Sequence, residues 1–511
     1  MKKQSTLKGA TFIIIGRILS KIIGLFRERL LSIYFGTSYV IDVWKLGVPL
    51  MGIILNVIVN PILKYGTPNI TKAYEEKDIG HMKHNIEVIV LLAGTAGVLL
   101  SLTFILFPEI IIKLFLPYIL SDTNKLITSI NMIRLIGYMS ILYTFVKIAD
   151  QLLVSIHIYT HLAIKDPLIN TIWVVTLAIL PYPIFIVLGR TLGAIFYLLF
   201  IAYTIYLTSR YVKATFSYDG APSRKSLARD IFKGTLPMYI GGSITLINQF
   251  IDRAMAGYLG EGNIAILGYS SIIAGIIGAL LIDPFLQSVY PKISQHIKGN
   301  NKEQFLKEAH SAASITLFLG IPAAAALFIM PSRISFFFFG GNKISSVEIY
   351  TIGIVAAIMS LTQLINSLKI YSNALIPLKR TDIGLKIAAI VVPFNILLNY
   401  ILAFTLNLGV MGLKIATLIA ITFSNMSQVY ILSKILKGLN MRPLIFRAIK
   451  TLLGTFPMAI LIYLLNIHLP QTRIFTLLIV FVGLSTYFIT TYIIKHETLV
   501  DIIEKITKIL E

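Results

Sequence analysis

The sequence predicts an all-α polytopic membrane protein: about fourteen transmembrane helices, set as two parallel-repeat six-helix lobes around a central cavity, with two further helices at the C-terminal end. Three observations point there. Charged residues are only 13% of the 511, about half the roughly 25% of a soluble domain. Apolar runs of about 20 residues, long enough to cross a hydrocarbon core, recur along the chain. Short motifs of the first half also return, in order, in the second.

The spans fall at 9–35, 40–63, 86–107, 127–155, 168–188, 191–209, 234–259, 264–290, 311–330, 347–370, 383–406, 409–433, 449–467 and 474–494. The segments between them are short and leave no room for an inserted soluble domain. With both termini cytoplasmic, 30 of the 45 Lys and Arg lie on inside segments and nine within spans. Only Lys113, Lys125, Arg190, Arg333, Lys343 and Arg473 lie in outside loops. Cytoplasmic loops concentrate Lys and Arg. The bias holds loop by loop, so it supports an even span count and a multi-pass protein of the cell (cytoplasmic or inner) membrane. The same rule accounts for the net charge of +22, and no nucleic-acid partner is expected. The lack of Cys removes disulfides, thiolate catalysis and Cys-based zinc sites. Met1–Lys8 resembles the charged start of a signal peptide, but Arg17, Lys21 and Arg27 interrupt the run that follows, with no convincing cleavage site.

The duplication is read from five matches. Leu7-Lys8-Gly9-Ala10-Thr11 answers to Phe232-Lys233-Gly234-Thr235-Leu236, and Glu28-Arg29 to Asp252-Arg253. Tyr34-Phe35-Gly36 answers to Tyr258-Leu259-Gly260, Asn60-Pro61 to Asp283-Pro284, and Pro68-Asn69-Ile70-Thr71 to Pro291-Lys292-Ile293-Ser294. Spans one and seven both start inside, so the halves are parallel repeats. The chain divides into an N-lobe at 1–212, a basic cytoplasmic linker at 213–233, a C-lobe at 234–434, spans thirteen and fourteen at 435–495, and a cytoplasmic tail at 496–511. In the tail, Leu499, Ile502, Ile503, Ile506 and Ile509 recur at helical spacing, as an amphipathic surface helix or as a face packed on the lobes.

Ionisable groups at membrane depth are costly and face water or a partner. Arg17, Lys21, Gly24 and Glu28 share one helical face, flanked by Arg27 and Arg29. Stacked cations repel unless an anion or water neutralises them, and Arg presents planar donors suited to phosphate. The second span adds Asp42 and Lys45, then Asn56, Asn60 and Pro61, where the missing N–H permits a bend. As a site, Arg17, Lys21 and Arg27 line a wet cavity and hold a pyrophosphate or similar anion, with Glu28, Asp42 and Lys45 beside them. As structure, Glu28 pairs with an Arg and the other cations reach the headgroups, which suits Arg29 better. Asp252–Arg253 and Lys147–Asp150 are close enough in sequence for local ion pairs, with Arg253 also a site candidate. Arg134 and Asp283 have no sequence-local partner and join the cavity candidates. The eight His show no metal-ligand spacing, and no Walker-type loop is present. A transporter without catalysis or cofactor, driven by a coupling ion or the membrane potential, is expected.

The stretch Ser20-Lys21-Ile22-Ile23-Gly24-Leu25-Phe26-Arg27-Glu28, followed by Tyr34-Phe35-Gly36 and Asp42, resembles the opening of the MurJ (MviN) lipid II flippases. The first residues, Met1 to Gly9, are also similar to the stage V sporulation B proteins of the same multidrug/oligosaccharidyl-lipid/polysaccharide exporter superfamily. The resemblance implies two parallel six-helix lobes plus two helices, and outward flipping of an undecaprenyl-pyrophosphate-linked saccharide by alternating access for cell-envelope biogenesis. It implies enzymes of envelope synthesis as partners. Lys21 then stands at the family's first cavity Arg, Arg27 at the second, and Asp42 at the acidic residue of span two. Two family arginines have no counterpart: Leu50-Met51-Gly52 follow Pro49, and Tyr269-Ser270-Ser271 occupy the early part of span eight. A flippase for lipid II and one for a related polysaccharide or O-antigen precursor both fit.

Other functions compete. A multidrug or cation antiporter of the same superfamily needs cavity carboxylates, whereas the first lobe here is rich in cations. A non-transporting envelope-assembly protein is disfavoured by the lack of any soluble domain. An intramembrane glycosyltransferase needs paired carboxylates on an outer loop, where Glu109 and Asp122 are the nearest pair.

Overall fold

The computed structural model describes residues 6–209, 224–279, 283–501 and 504. Among them every regular element is helical. The long helices of the first part are α1 (Thr6–Phe35), α2 (Tyr39–Glu75), α3 (Ile79–Leu106), α4 (Thr123–Ser155), α5 (Thr160–Ile179) and α6 (Pro183–Ser209). Those of the second are α7 (Arg224–Tyr258), α8 (Asn263–Ile277), α9 (Lys302–Ile329), α10 (Ser346–Leu375), α11 (Thr381–Thr405) and α12 (Gly409–Ile435). Two more, α13 (Arg442–His468) and α14 (Arg473–Ile493), close the series. Eleven of these, α2–α6 and α9–α14, are long and apolar enough to cross a membrane. Helices α1, α7 and α8 stand at the three other predicted spans.

Two span edges move. The apolar run of span two ends at Leu63, yet α2 continues to Glu75, because helical backbone bonds persist after the side chains turn polar. The stretch predicted as span eight is helical over Asn263–Ile277 (α8) and again from Asp283 to Lys298, and 280–282 lie outside the described residues.

The chain forms two compact units, Met1–Ala265 and Ile266–Glu511. In the first, α1 lies on α5, α3 on α4, and α6 on both α4 and α5, while α7 packs against α2 and α3. Close approach of α1 and α5 depends on Gly16, where a Cβ would fall 2.1 Å from the Ala163 carbonyl oxygen. In the second unit α9 lies on α13, α13 on α14, and α12 on α10 and α11. Positions 224–233 of the predicted linker form the first turns of α7, whereas 213–223 lie outside the described residues. Leu499 of the predicted tail packs with Phe318, Met458, Ile462 and Tyr487. Ile502, Ile503, Ile506 and Ile509 lie outside the described residues.

The duplication extends beyond the matching motifs. Left-handed residues pair across the halves: Gly36 (φ 60°) with Gly260 (φ 107°), Lys77 (φ 60°) with Asn300 (φ 53°), and His157 (φ 61°) with Lys379 (φ 56°). A π-helical turn opens at Ile54 within α2 and another at Gly278, just after α8. Short helices begin at Pro108 and Pro331, and side-chain caps stand at Asp78 and Asn301. These pairs lie 222 to 224 residues apart, against 223 to 225 for the sequence matches.

Candidate functional site

Helix α1 sends its charges to different places. Arg17 and Lys21 are exposed, whereas Glu28 is only 4% exposed and Arg27 half-buried. Glu28 holds two cations at once: Oε1 accepts from Arg27 Nη2 at 2.5 Å, and Oε2 accepts from Lys45 Nζ of α2. Arg27 Nη1 donates to Asn170 Oδ1 of α5 at 2.7 Å, and the Asn170 amide donates onward to Ser20 Oγ at 2.9 Å. The Arg27 guanidinium lies 4.3 Å over the Trp173 ring, which Trp44 meets edge-on at 4.9 Å. Arg190 of α6 completes the wall. It stands 5.1, 5.5 and 5.7 Å from the rings of Tyr143, Trp173 and Trp44, and its Nε donates to the Tyr143 hydroxyl at 3.0 Å.

The balance of charge is chemically telling. Arg27 and Lys45 share the Glu28 carboxylate, and Arg190 meets the same tryptophan ring as Arg27, so these four side chains sum to two positive charges. Charges taken out of water are costly unless paired and hydrogen-bonded. Arg27 Nε is shielded from solvent and has no partner among the described residues. Aromatic faces stabilise cations but neutralise none of them. The arrangement suits an anion with about two negative charges.

The remaining predicted site residues are dispersed. Asp42 is fully buried at 0% exposure, and its carboxylate is filled from within the protein. Oδ2 accepts from the Tyr118 hydroxyl at 2.6 Å and the Gly262 N–H at 2.7 Å, while Oδ1 accepts from the Ala265 N–H at 2.6 Å. Those amides open α8, so Asp42 caps a helix from another element, where a carboxylate meets free N–H groups and a favourable dipole. Next to it, Glu261 accepts from the Tyr39 N–H at 2.9 Å and from Lys125 Nζ at 2.6 Å. Arg134 is exposed on α4. Arg253 is half-buried beside buried Asp252, both engaged in polar interactions. Asp283 opens its helix, but its side chain lies outside the described residues.

One local pair expected from sequence is replaced. Asp150 accepts from Lys165 Nζ at 2.8 Å, across the α4–α5 turn, while Lys147 donates to Asn56 Oδ1 at 3.3 Å. Asp150 is buried toward α5 and α6, and Lys147 reaches α2 instead. Asn170, Trp173 and Arg190 escaped the sequence reading because they lie far along the chain from Arg27. The span edges predict Arg190 in an outside loop, but α6 starts at Pro183 and sets it two turns into the helix. One signal was available: Trp173 sits mid-helix, away from the span ends where Trp gathers.

With this geometry in place, the comparisons with known proteins are specific. A family model described as lipid II flippase MurJ matches residues 31–484. A probable lipid II flippase MurJ of Bdellovibrio bacteriovorus is 24% identical over 276 residues, which are 52% of this chain and 52% of that protein. The chain thus spans about half the length of that relative. A namesake from Buchnera aphidicola is 20% identical over 407 residues, 76% of each chain. Among solved structures, a lipid II flippase MurJ in an inward closed conformation superposes with a TM-score of 0.75 at 20% identity, covering 95% of this chain and 99% of that one. An inward-facing multidrug resistance MATE family transporter of the MOP superfamily gives a TM-score of 0.65 at 15% identity, covering 83% and 98%. At such identities the structural likeness establishes the fold.

Proposed function

The chain belongs to the lipid II flippase MurJ family, and from that premise we propose that it carries an undecaprenyl-pyrophosphate-linked saccharide from the inner to the outer leaflet by alternating access. The observation that carries this reading is the excess of two positive charges among Arg27, Lys45, Arg190 and Glu28. A pyrophosphate diester brings about two negative charges, and guanidinium groups bind its oxygens through paired donors. Glu28 keeps the two cations apart and pre-aligned while the site is empty. Exposed Arg17 and Lys21, earlier on α1, form the approach. Asp42 acts as a positioning residue, holding α2 to the start of α8. Arg134, Arg253 and Asp283 are assigned secondary contacts to the cargo.

On the charge bias of the loops, both termini face the cytoplasm, where enzymes of envelope synthesis supply the cargo. A coupling ion or the membrane potential drives the cycle. Antiport of cationic drugs, the other activity of this fold, is disfavoured because Glu28 is already bound to two cations.

The test is reconstitution in liposomes with a fluorescent polyprenyl-pyrophosphate saccharide and an outside quencher. The parent should bring the probe to the quencher. Absence of flipping by the parent, or full activity in Arg27→Ala, would falsify the assignment.

A further inference from the structure

Helices α4, α5 and α6 carry a second polar cluster, one step further along than the first. Asp150 is 7% exposed, accepting from Lys165 Nζ at 2.8 Å and from the Tyr197 hydroxyl at 2.5 Å. His161 is 3% exposed, with Nε2 3.8 Å from Asp150 Oδ1. Among the described residues neither of its ring nitrogens has a partner at hydrogen-bond geometry. A buried imidazole left unpaired is costly, and a proton turns the approach of Nε2 to Asp150 Oδ1 into a charge-assisted hydrogen bond.

The two clusters share their helices. On α4, Tyr143 serves the anion cluster and Asp150 the second one; on α6 the same division falls to Arg190 and Tyr197. Both pairs are seven residues apart, which is about two turns on the same helix face. On α5, His161 and Lys165 lie on one side of Pro167 and Asn170 and Trp173 on the other. The proline breaks one backbone hydrogen bond between them.

We propose that Asp150, His161, Lys165 and Tyr197 form a proton-binding site whose occupancy is transmitted along α5 to the Arg27 cluster. The proton enters from water and bonds to His161 Nε2, which then donates to Asp150 Oδ1; no other bond is made or broken. Histidine is the side chain that exchanges a proton near neutral pH. Charged or titratable groups around the site are Tyr143 and Lys147 on α4, Asp166 on α5, and Lys64 of α2 beside Lys147. Helix α1 meets α5 through Gly16, and its nearby cations Arg17 and Lys21 are exposed.

The transmission half rests on the proposed anion site; the proton-binding half does not. The chain's only two tryptophans, Trp44 and Trp173, both stand in the anion cluster and report on it. Intrinsic fluorescence of the full chain in lipid nanodiscs, titrated between about pH 5 and pH 8, should show one protonation step. His161→Gln should abolish that step, and Tyr197→Phe should move its midpoint. Inorganic pyrophosphate should shift the parent's midpoint, and its affinity should change about fivefold or more across the step, because the coupling is reciprocal. Persistence of the step in His161→Gln overturns the proton site. A step that pyrophosphate binds to but does not shift overturns the transmission. Failure of pyrophosphate to bind at all counts instead against the anion site. Should His161→Gln not fold, the charge-balanced double variant Asp150→Asn/Lys165→Met removes the acceptor and must also lose the step.

Discussion

Helices α1 and α2 and their copies α7 and α8 share a backbone plan but divide the chemistry unequally. Each pair turns on a left-handed glycine, Gly36 or Gly260, and each is followed by a π turn before an X-Pro step. Yet α1 and α2 bring Arg27, Glu28 and Lys45 together, whereas α8 carries no charge at all and α7 contributes Asp252 and Arg253. If folding required the charges, both copies would need them. Their concentration in one copy marks them as serving something other than the fold.

The largest test of that contrast exchanges equivalent positions. Arg27 corresponds to Ile251. Hydrogen bonds to charged groups contribute about 1.5–3 kcal/mol, so Arg27→Ala should slow flipping by about tenfold to a hundredfold. Ile251→Val should leave the rate within about twofold, as conservative apolar swaps usually do. Equal losses in the quencher assay would break the comparison.

A smaller effect is expected at Asp42, whose copy-position is the apolar Ile266. Asp42→Asn keeps the shape but replaces one acceptor oxygen by an amide facing a donor. Thermal unfolding should register a loss of about 1–3 kcal/mol. An unchanged melting temperature would show that the tie to α8 is dispensable.

The glycines should behave alike. Placing a Cβ on left-handed backbone costs about 1–2 kcal/mol, so Gly36→Ala and Gly260→Ala should destabilise to similar degrees. A neutral result at either position would mean that the shared plan is not enforced there.

The smallest contrast is in pH. Asp78 and Asn301 cap equivalent helices, accepting from the His81 and Gln304 N–H groups at 2.9 and 3.0 Å. The His81 N–H holds the Asp78 carboxyl below the usual carboxylate range. Its contribution is therefore present above the ordinary Asp value of about 3.9 and is lost as pH falls through the lowered one. Amide exchange should show His81 losing protection on acidification while Gln304, capped by a neutral amide, does not. Parallel behaviour of the two amides would count against the assigned cap chemistry.

Much of the architecture was legible because it rests on local signals. Apolar length gave the spans, loop cations gave a consistent count, and Gly or Pro motifs gave the start of the duplication. Those motifs fade after Thr71 and Ser294, while the matched backbone continues to His157 and Lys379, since a left-handed turn tolerates Lys, His or Asn where only the conformation is kept. The site was half legible. Arg27, Glu28 and Lys45 lie close in sequence, but Asn170, Trp173 and Arg190 are brought in by packing of α5 and α6. Asp150 shows the limit of neighbour arguments: its cation is Lys165 across a turn, not Lys147 three residues back.

The π turn at Ile54–Val59 gives α2 a mechanical property that a regular helix lacks. Its wider ring stores one surplus residue, and relaxing it to ordinary pitch would swivel the half beyond Asn60 against the half bearing Lys45, at the expense of few backbone bonds. Asn56, whose amide oxygen accepts from Lys147 and Asn60 at 3.3 Å, would ride on that swivel. The helix thus works as a jointed rod rather than a stiff one.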